Sequence, residues 1–146
     1  MIFKFKSKNY EIIDYEKPIT RDIIVFCRKG YQKNQRFFER NSSFFKVIVC
    51  HSEAKFKKEM KKWYLPMAKG RTLKNKIVIR GPKEIIKCHK ELGGAKSFNG
   101  VIAHEMAHLF EVKYFGERGE PMWLNEGLAD FVNVGKRKLK IKEKDF

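Results

Sequence analysis

Two runs dominated by β-branched and aromatic side chains, residues 22–27 (DIIVFC) and 44–50 (FFKVIVC), predict the first strands of the chain. The polar stretch between them, 28–43, is expected to be partly helical. Ser52 is placed to cap a short basic helix over 53–63, which Pro66 and Gly70 close. Residues 75–82 (NKIVIRGP) alternate Lys76, Val78 and Arg80 with Ile77 and Ile79. One polar face and a terminal Gly-Pro predict a strand near a sheet edge.

The pattern changes period in the second half. A flexible Gly93-Gly94 pair leads into Ser97-Phe98-Asn99, where a helix can begin and run to about Phe115, stopping at Gly116. Val101, Met106, Leu109, Val112 and Phe115 supply its apolar faces. Pro121 suits the first turn of another helix that reaches about Val134 and ends at Gly135. Trp123 and Leu124 are expected to pack these two helices together. Strands first and paired helices last predict an α+β fold.

The chain has 146 residues, 42% of them hydrophobic and 14% aromatic, which suits one packed domain and argues against disorder. No apolar stretch approaches the ~20 residues of a membrane-spanning helix, and the lysine-interleaved N-terminus lacks the apolar block of a signal peptide. Three cysteines (Cys27, Cys50 and Cys88) are too few and too odd for a disulfide framework, so a reduced, cytoplasmic setting is expected. The net charge of +16 favours polyanions, anionic surfaces or acidic proteins as partners, without a motif that singles out nucleic acid. Its distribution is uneven. Between His104 and Asp130 six acids face two bases, a local −4 that leaves +20 on the remainder. An acidic pocket in a basic body is what a cation site requires.

His104-Glu105-Met106-Ala107-His108 is an HExxH pattern inside the helical segment, and it uses two of the four histidines in the chain. Spacing i, i+4 puts both imidazoles on one helix face, close enough to share a tetrahedral cation, with Glu105 beside them to take a proton from an activated water. A third ligand is needed. His51, His89, Cys88 and the downstream acids are the candidates, and Glu126, 18 residues after His108 on the next helix, is the best placed. Asp130 follows one turn later on the same face, where a carboxylate can accept a hydrogen bond from a ligating imidazole.

HEMAH followed by EPMWLNEGLADF resembles the gluzincin metallopeptidases, especially the small peptidase-MA-like domains and minigluzincins. The resemblance covers residues 98–131 and implies a zincin-like fold with one zinc per chain. It implies His104, His108 and Glu126 as zinc ligands, Glu105 as general base and acid, and Asp130 as the partner of a ligating histidine. Two departures stand out. The spacer between the second His and the Glu is one residue shorter than in aminopeptidase-type gluzincins. No Tyr or His follows Asp130 to stabilise an oxyanion, which leaves Tyr114, Tyr64, His89 or a basic residue for that task.

The expectation is therefore one catalytic domain, with a sheet-containing part (1–97), metal-binding helices (98–135) and a basic tail (136–146). Its activity would be zinc-dependent hydrolysis of a peptide or protein, general or restricted to one partner. The strand Lys76, Ile77, Val78, Ile79, Arg80 would hold an extended substrate by strand addition. The alternative is a zinc-stabilised basic module that binds nucleic acid or protein, with vestigial hydrolysis. The tail, with six bases against two acids, is a candidate latch over the acidic site.

Overall fold

In a computed structural model, which describes residues 1–94, 96–115 and 122–134, the chain begins with a hairpin. Strand β1 (Phe3–Lys6) pairs antiparallel with β2 (Tyr10–Asp14), Phe3 opposite Asp14 and Lys6 opposite Glu11. Strand β2 runs parallel to β3 (Phe45–Cys50). A parallel neighbour demands a crossover, and helix α1 (Arg21–Phe38) provides it.

Residues 22–27, expected as a strand, are the opening turns of α1. Ile23, Cys27, Gly30, Tyr31, Asn34 and Phe38 recur every three or four positions and form one buried stripe. Thr20 caps the helix, its Oγ1 accepting the Ile23 N–H at 3.4 Å. The penalty for β-branched residues in a helix is below about 0.7 kcal/mol each, less than the gain from burying such a stripe.

Helix α2 (Glu53–Met60) follows β3 as expected, capped by Ser52 and extended by a 3-10 turn, Lys61–Trp63. Strands β4 (Gly70–Leu73) and β5 (Lys76–Arg80) then form a second hairpin, Gly70 opposite Ile79. The sheet order is β1-β2-β3-β5-β4, mixed in sense. This corrects the strand expected at the edge. β5 is bonded to β3 on one side and β4 on the other, so the outer edge belongs to β4.

Neither face of β5 is polar. Ile77 and Ile79 join the main core with Phe45, Val47, Val49, Ile102 and Met106. Val78 sits in a second cluster with Ile48, Phe56 and Met60. Arg80 lies over the Phe56 ring, 4.0 Å from its centroid.

Helix α3 (Pro82–Leu92) ends at Gly93, and Gly93 and Gly94 both have positive φ (76° and 81°), the left-handed turn that frees the chain to enter α4 (Phe98–Phe115). Ser97 opens that helix, its Oγ accepting the Gly100 N–H at 3.3 Å. Helix α5 (Met122–Val134) follows, so both C-terminal helices occur where the apolar spacing placed them. Val101, Ile102, Ala103, Met106, Ala107 and Phe110 are all buried, because α4 is wedged between α1, α5 and β4. No helix among the described residues is long and apolar enough to cross a membrane. The tail 136–146, with its expected latch, lies outside the described residues.

Candidate metal centre

Helix α4 is fixed from the α1 side at the turn that carries His104. Gly30 of α1 brings the two helices into close contact: a Cβ there would meet the Met106 sulfur at 3.3 Å and the Ala103 Cα at 3.4 Å. Asn34, fully buried, donates from Nδ2 to the Gly30 carbonyl (2.9 Å) and the Ala103 carbonyl (3.1 Å). His104 and His108 therefore project from a backbone that is held on its opposite side.

Their rings meet edge to face, with Nε2 atoms 3.2 Å apart. Glu126 reaches across from α5, one carboxylate oxygen 3.2 Å from His104 Nε2 and the other 3.3 Å from His108 Nε2. Asp130 Oδ1 is 3.0 Å from His104 Nδ1. Glu111 Oε2 is 3.2 Å from His108 Nδ1. With each Nδ1–H donating to its carboxylate, both Nε2 lone pairs point at the Glu126 carboxylate. Three acceptors thus converge with no donor between them.

Such a convergence calls for a cation or a proton. The nitrogens lie 3.2 Å apart and each has one of the two Glu126 oxygens at 3.2–3.3 Å, spacings close to the ~3.3 Å edge of a tetrahedron with metal–ligand bonds of about 2.0–2.1 Å, so the donor set fits a metal ion. His104, Glu105 and His108 likewise form a group whose ligand atoms lie within 4.8 Å of one another. Without a metal the site attracts protons instead. Burial alone would lower the His108 pKa, but the hydrogen bond to Glu111 and the charges of Glu105, Glu126 and Glu111 outweigh it and push it up to about 9.

Glu105, buried beside the pair, is held from the sheet. The Thr72 hydroxyl of β4 lies 2.7 Å from both the Glu105 carbonyl oxygen and its carboxylate Oε2. Thr72 and Glu111 are site residues that the sequence reading did not single out. Thr72 gives no local signal, since it reaches Glu105 only through the sheet. Glu111 lies i+3 from His108, a spacing that could have marked it.

The other expectations fare differently. Ile77, Val78 and Ile79 are fully buried, and Lys76 shares their doubly paired strand, so none of them can receive another strand. Arg80 is spent on Glu53 and on the carbonyls of Ala68 (2.7 Å) and Pro66 (3.1 Å). Trp123 does not join the helices; it is 76% exposed. His89 Nδ1 faces the Gly94 carbonyl at 2.9 Å, Cys88 faces that of Met67, and Tyr64 donates to Glu53. The side chain of Tyr114 lies outside the described residues. The three cysteines are unpaired and buried, and burial pushes the Cys50 thiol up to about 12.

His51 follows β3 and belongs to a separate cluster. Its Nε2 is 2.5 Å from Asp14 Oδ2, and its Nδ1 faces Glu84 Oε2 at 3.7 Å. A Cβ on Gly81 would come closer than 3.0 Å to both His51 and Glu84, so glycine is what admits this cluster.

Comparison with protein-family models, curated proteins and solved structures finds no match to this chain. The functional reading therefore rests on the residues and their geometry.

Proposed function

We propose that the protein is a zinc-dependent peptide hydrolase of gluzincin type, with His104, His108 and Glu126 as ligands and Glu105 as general base. The observation that carries this reading is the approach of the two Glu126 oxygens to His104 Nε2 and His108 Nε2 at 3.2 and 3.3 Å, with those nitrogens 3.2 Å apart, beside a carboxylate held by Thr72. A bound zinc ion supplies Lewis acidity, polarising a carbonyl and acidifying a water.

The chain's own groups do the rest. Asp130 and Glu111 hold each imidazole with its proton on Nδ1, which leaves Nε2 free to ligate. Glu105 takes a proton from the water and passes it to the leaving amine. Thr72 holds Glu105 against β4, so its carboxylate does not have to be recruited from solvent. The outer edge of β4 replaces β5 as the place for an extended peptide, since no strand among the described residues pairs with that side and Thr72 ties it to the base.

Metal analysis of the purified protein tests the reading together with peptide hydrolysis. One zinc per chain, lost in His104→Ala and Glu126→Ala, and hydrolysis abolished by Glu105→Gln with zinc retained are the expected results. Equal zinc in wild type and Glu126→Ala removes Glu126 from the site. The net charge of +16 favours a second reading, a zinc-stabilised module that binds a polyanion. Steeply salt-dependent nucleic-acid binding that survives Glu105→Gln, without any cleavage, would establish it.

A further inference from the structure

We propose that Glu111 is the positioning residue for His108, and that it controls metal affinity more strongly than Asp130 does at His104. The inference rests on the metal-site reading above and extends it to a residue outside the HExxH and Glu126 motifs.

The two ligating imidazoles each have a carboxylate on Nδ1, at 3.0 Å for His104–Asp130 and 3.2 Å for His108–Glu111. The partners differ in surroundings. The Asp130 side chain is 69% exposed, whereas that of Glu111 is 0% exposed. Water competes for His104 Nδ1 when Asp130 swings away. The two imidazoles are themselves alike in exposure, 20% and 16%, so the difference lies in the carboxylates, and the one that fixes the orientation and tautomer of His108 is wholly out of water.

The second oxygen, Glu111 Oε1, is buried without a hydrogen-bond partner among the described residues. A carboxylate placed only to stabilise the fold would be expected to have both oxygens satisfied, because burying an unpaired one is costly. Glu111 is also on the same helix as His108, three residues on, so the hydrogen bond is built into the α4 turn. In the alternative tautomer, with the proton on Nε2, His108 points a donor at the metal position and cannot ligate. Glu111 disfavours that tautomer by placing an acceptor at Nδ1.

Two variants test this. Glu111→Met keeps the bulk and removes the acceptor. Glu111→Gln keeps the shape, loses the charge and can turn its NH2 toward Nδ1. Zinc affinity would be measured by competition with a chromophoric chelator, and the His108 tautomer by ring nitrogen chemical shifts in the zinc-free and zinc-loaded proteins. Glu111→Met is expected to lose about 100-fold in affinity and Glu111→Gln about tenfold, with Asp130→Asn losing less than Glu111→Met. Measured at a pH alkaline enough for the His108 ring to be neutral, the zinc-free variants are expected to show His108 shifted toward the Nε2–H tautomer relative to wild type, a change that altered packing alone does not produce.

If Glu111→Met does not fold, Glu111→Gln decides by the same two readouts. Affinity within about twofold of wild type and an unchanged His108 tautomer in Glu111→Gln overturn the proposal. A wild-type protein that binds no zinc overturns the metal-site reading itself, so the two failures are distinct.

Discussion

The Thr72 hydroxyl, on the outermost strand of the sheet, lies 2.7 Å from the carboxylate of Glu105 on the central helix. A hydroxyl has one proton and Thr72 has two acceptors within reach, since the Glu105 carbonyl is equally near. The strand edge and Glu105 are thereby coupled. In the proposed reaction a peptide lying along β4 would meet Glu105 through the same residue that holds its carboxylate.

Replacing that hydroxyl with a methyl group tests the coupling. Thr72→Val keeps the β-branched shape and removes the donor. Turnover is expected to fall about tenfold, the rate equivalent of one hydrogen bond to a charged group. Zinc content is expected to stay at the wild-type level, and Thr72→Ser to restore most of the rate. Loss of zinc in Thr72→Val, or an unchanged rate, would show that Thr72 does not serve the base.

Asp130 presents the milder case of a carboxylate on a ligand. Its contact with His104 Nδ1 is 3.0 Å, but water has access to it. Asp130→Asn is expected to lower zinc affinity by about threefold, less than the tenfold of Glu111→Gln because water can take the place of the exposed carboxylate, without a change in melting temperature of the metal-free protein. Titration with a zinc chelator measures it. Identical affinity would reduce Asp130 to ordinary helix surface.

The meeting of His104, His108, Glu126 and Asp130 was legible in the sequence because its parts are local. HExxH and the pair Glu126/Asp130 are i, i+4 relationships, and a helix brings such pairs together whatever surrounds it. Thr72 was not legible, since its meeting with Glu105 depends on β4, a four-residue strand with no alternation of its own. Glu111 looked like one more acid in a −4 window, and only burial sets it apart from Asp130. The α1 segment misled for the opposite reason. Ile23, Ile24 and Val25 have a local β bias, while the helical stripe that wins includes Gly30 and Asn34, residues with no apolar signal. Hairpin β1–β2 carried a period-two alternation in FKFK, yet the stronger β-branched runs drew the first strands further along the chain.

Acid stability depends on a different pair. The Arg80 hydrogen bond, and after it that of Tyr64, lower the Glu53 pKa from an ordinary 4.5 to about 2. A depressed folded-state pKa stabilises above the unfolded value, so the contribution is complete above about pH 5 and disappears as pH falls toward 2. The Glu53 side chain is 56% exposed, so solvent screens the pair and the effect is modest. Glu53→Gln is expected to melt a few degrees below wild type near neutrality, and the gap is expected to close near pH 2. A gap that widens on acidification would contradict this sign.

The support beneath His104 is open to a similar trial. Gly30 leaves no room for a side chain between α1 and α4, and Ala103, the residue it faces, immediately precedes His104. Gly30→Leu forces the helices apart and is expected to cost about 1–3 kcal/mol of stability. Because Asn34 bridges the carbonyls of Gly30 and Ala103 at 2.9 and 3.1 Å, that movement also tilts the turn from which His104 projects. Zinc affinity is therefore expected to fall along with the melting temperature. Asn34→Ala removes the bridge without adding bulk, so it is expected to cost about 1 kcal/mol and to leave affinity closer to wild type. Denaturant unfolding of the metal-free proteins, set beside chelator competition, separates the two quantities. Wild-type zinc affinity in a destabilised Gly30→Leu protein would show that α4 and α5 hold the metal geometry without help from α1.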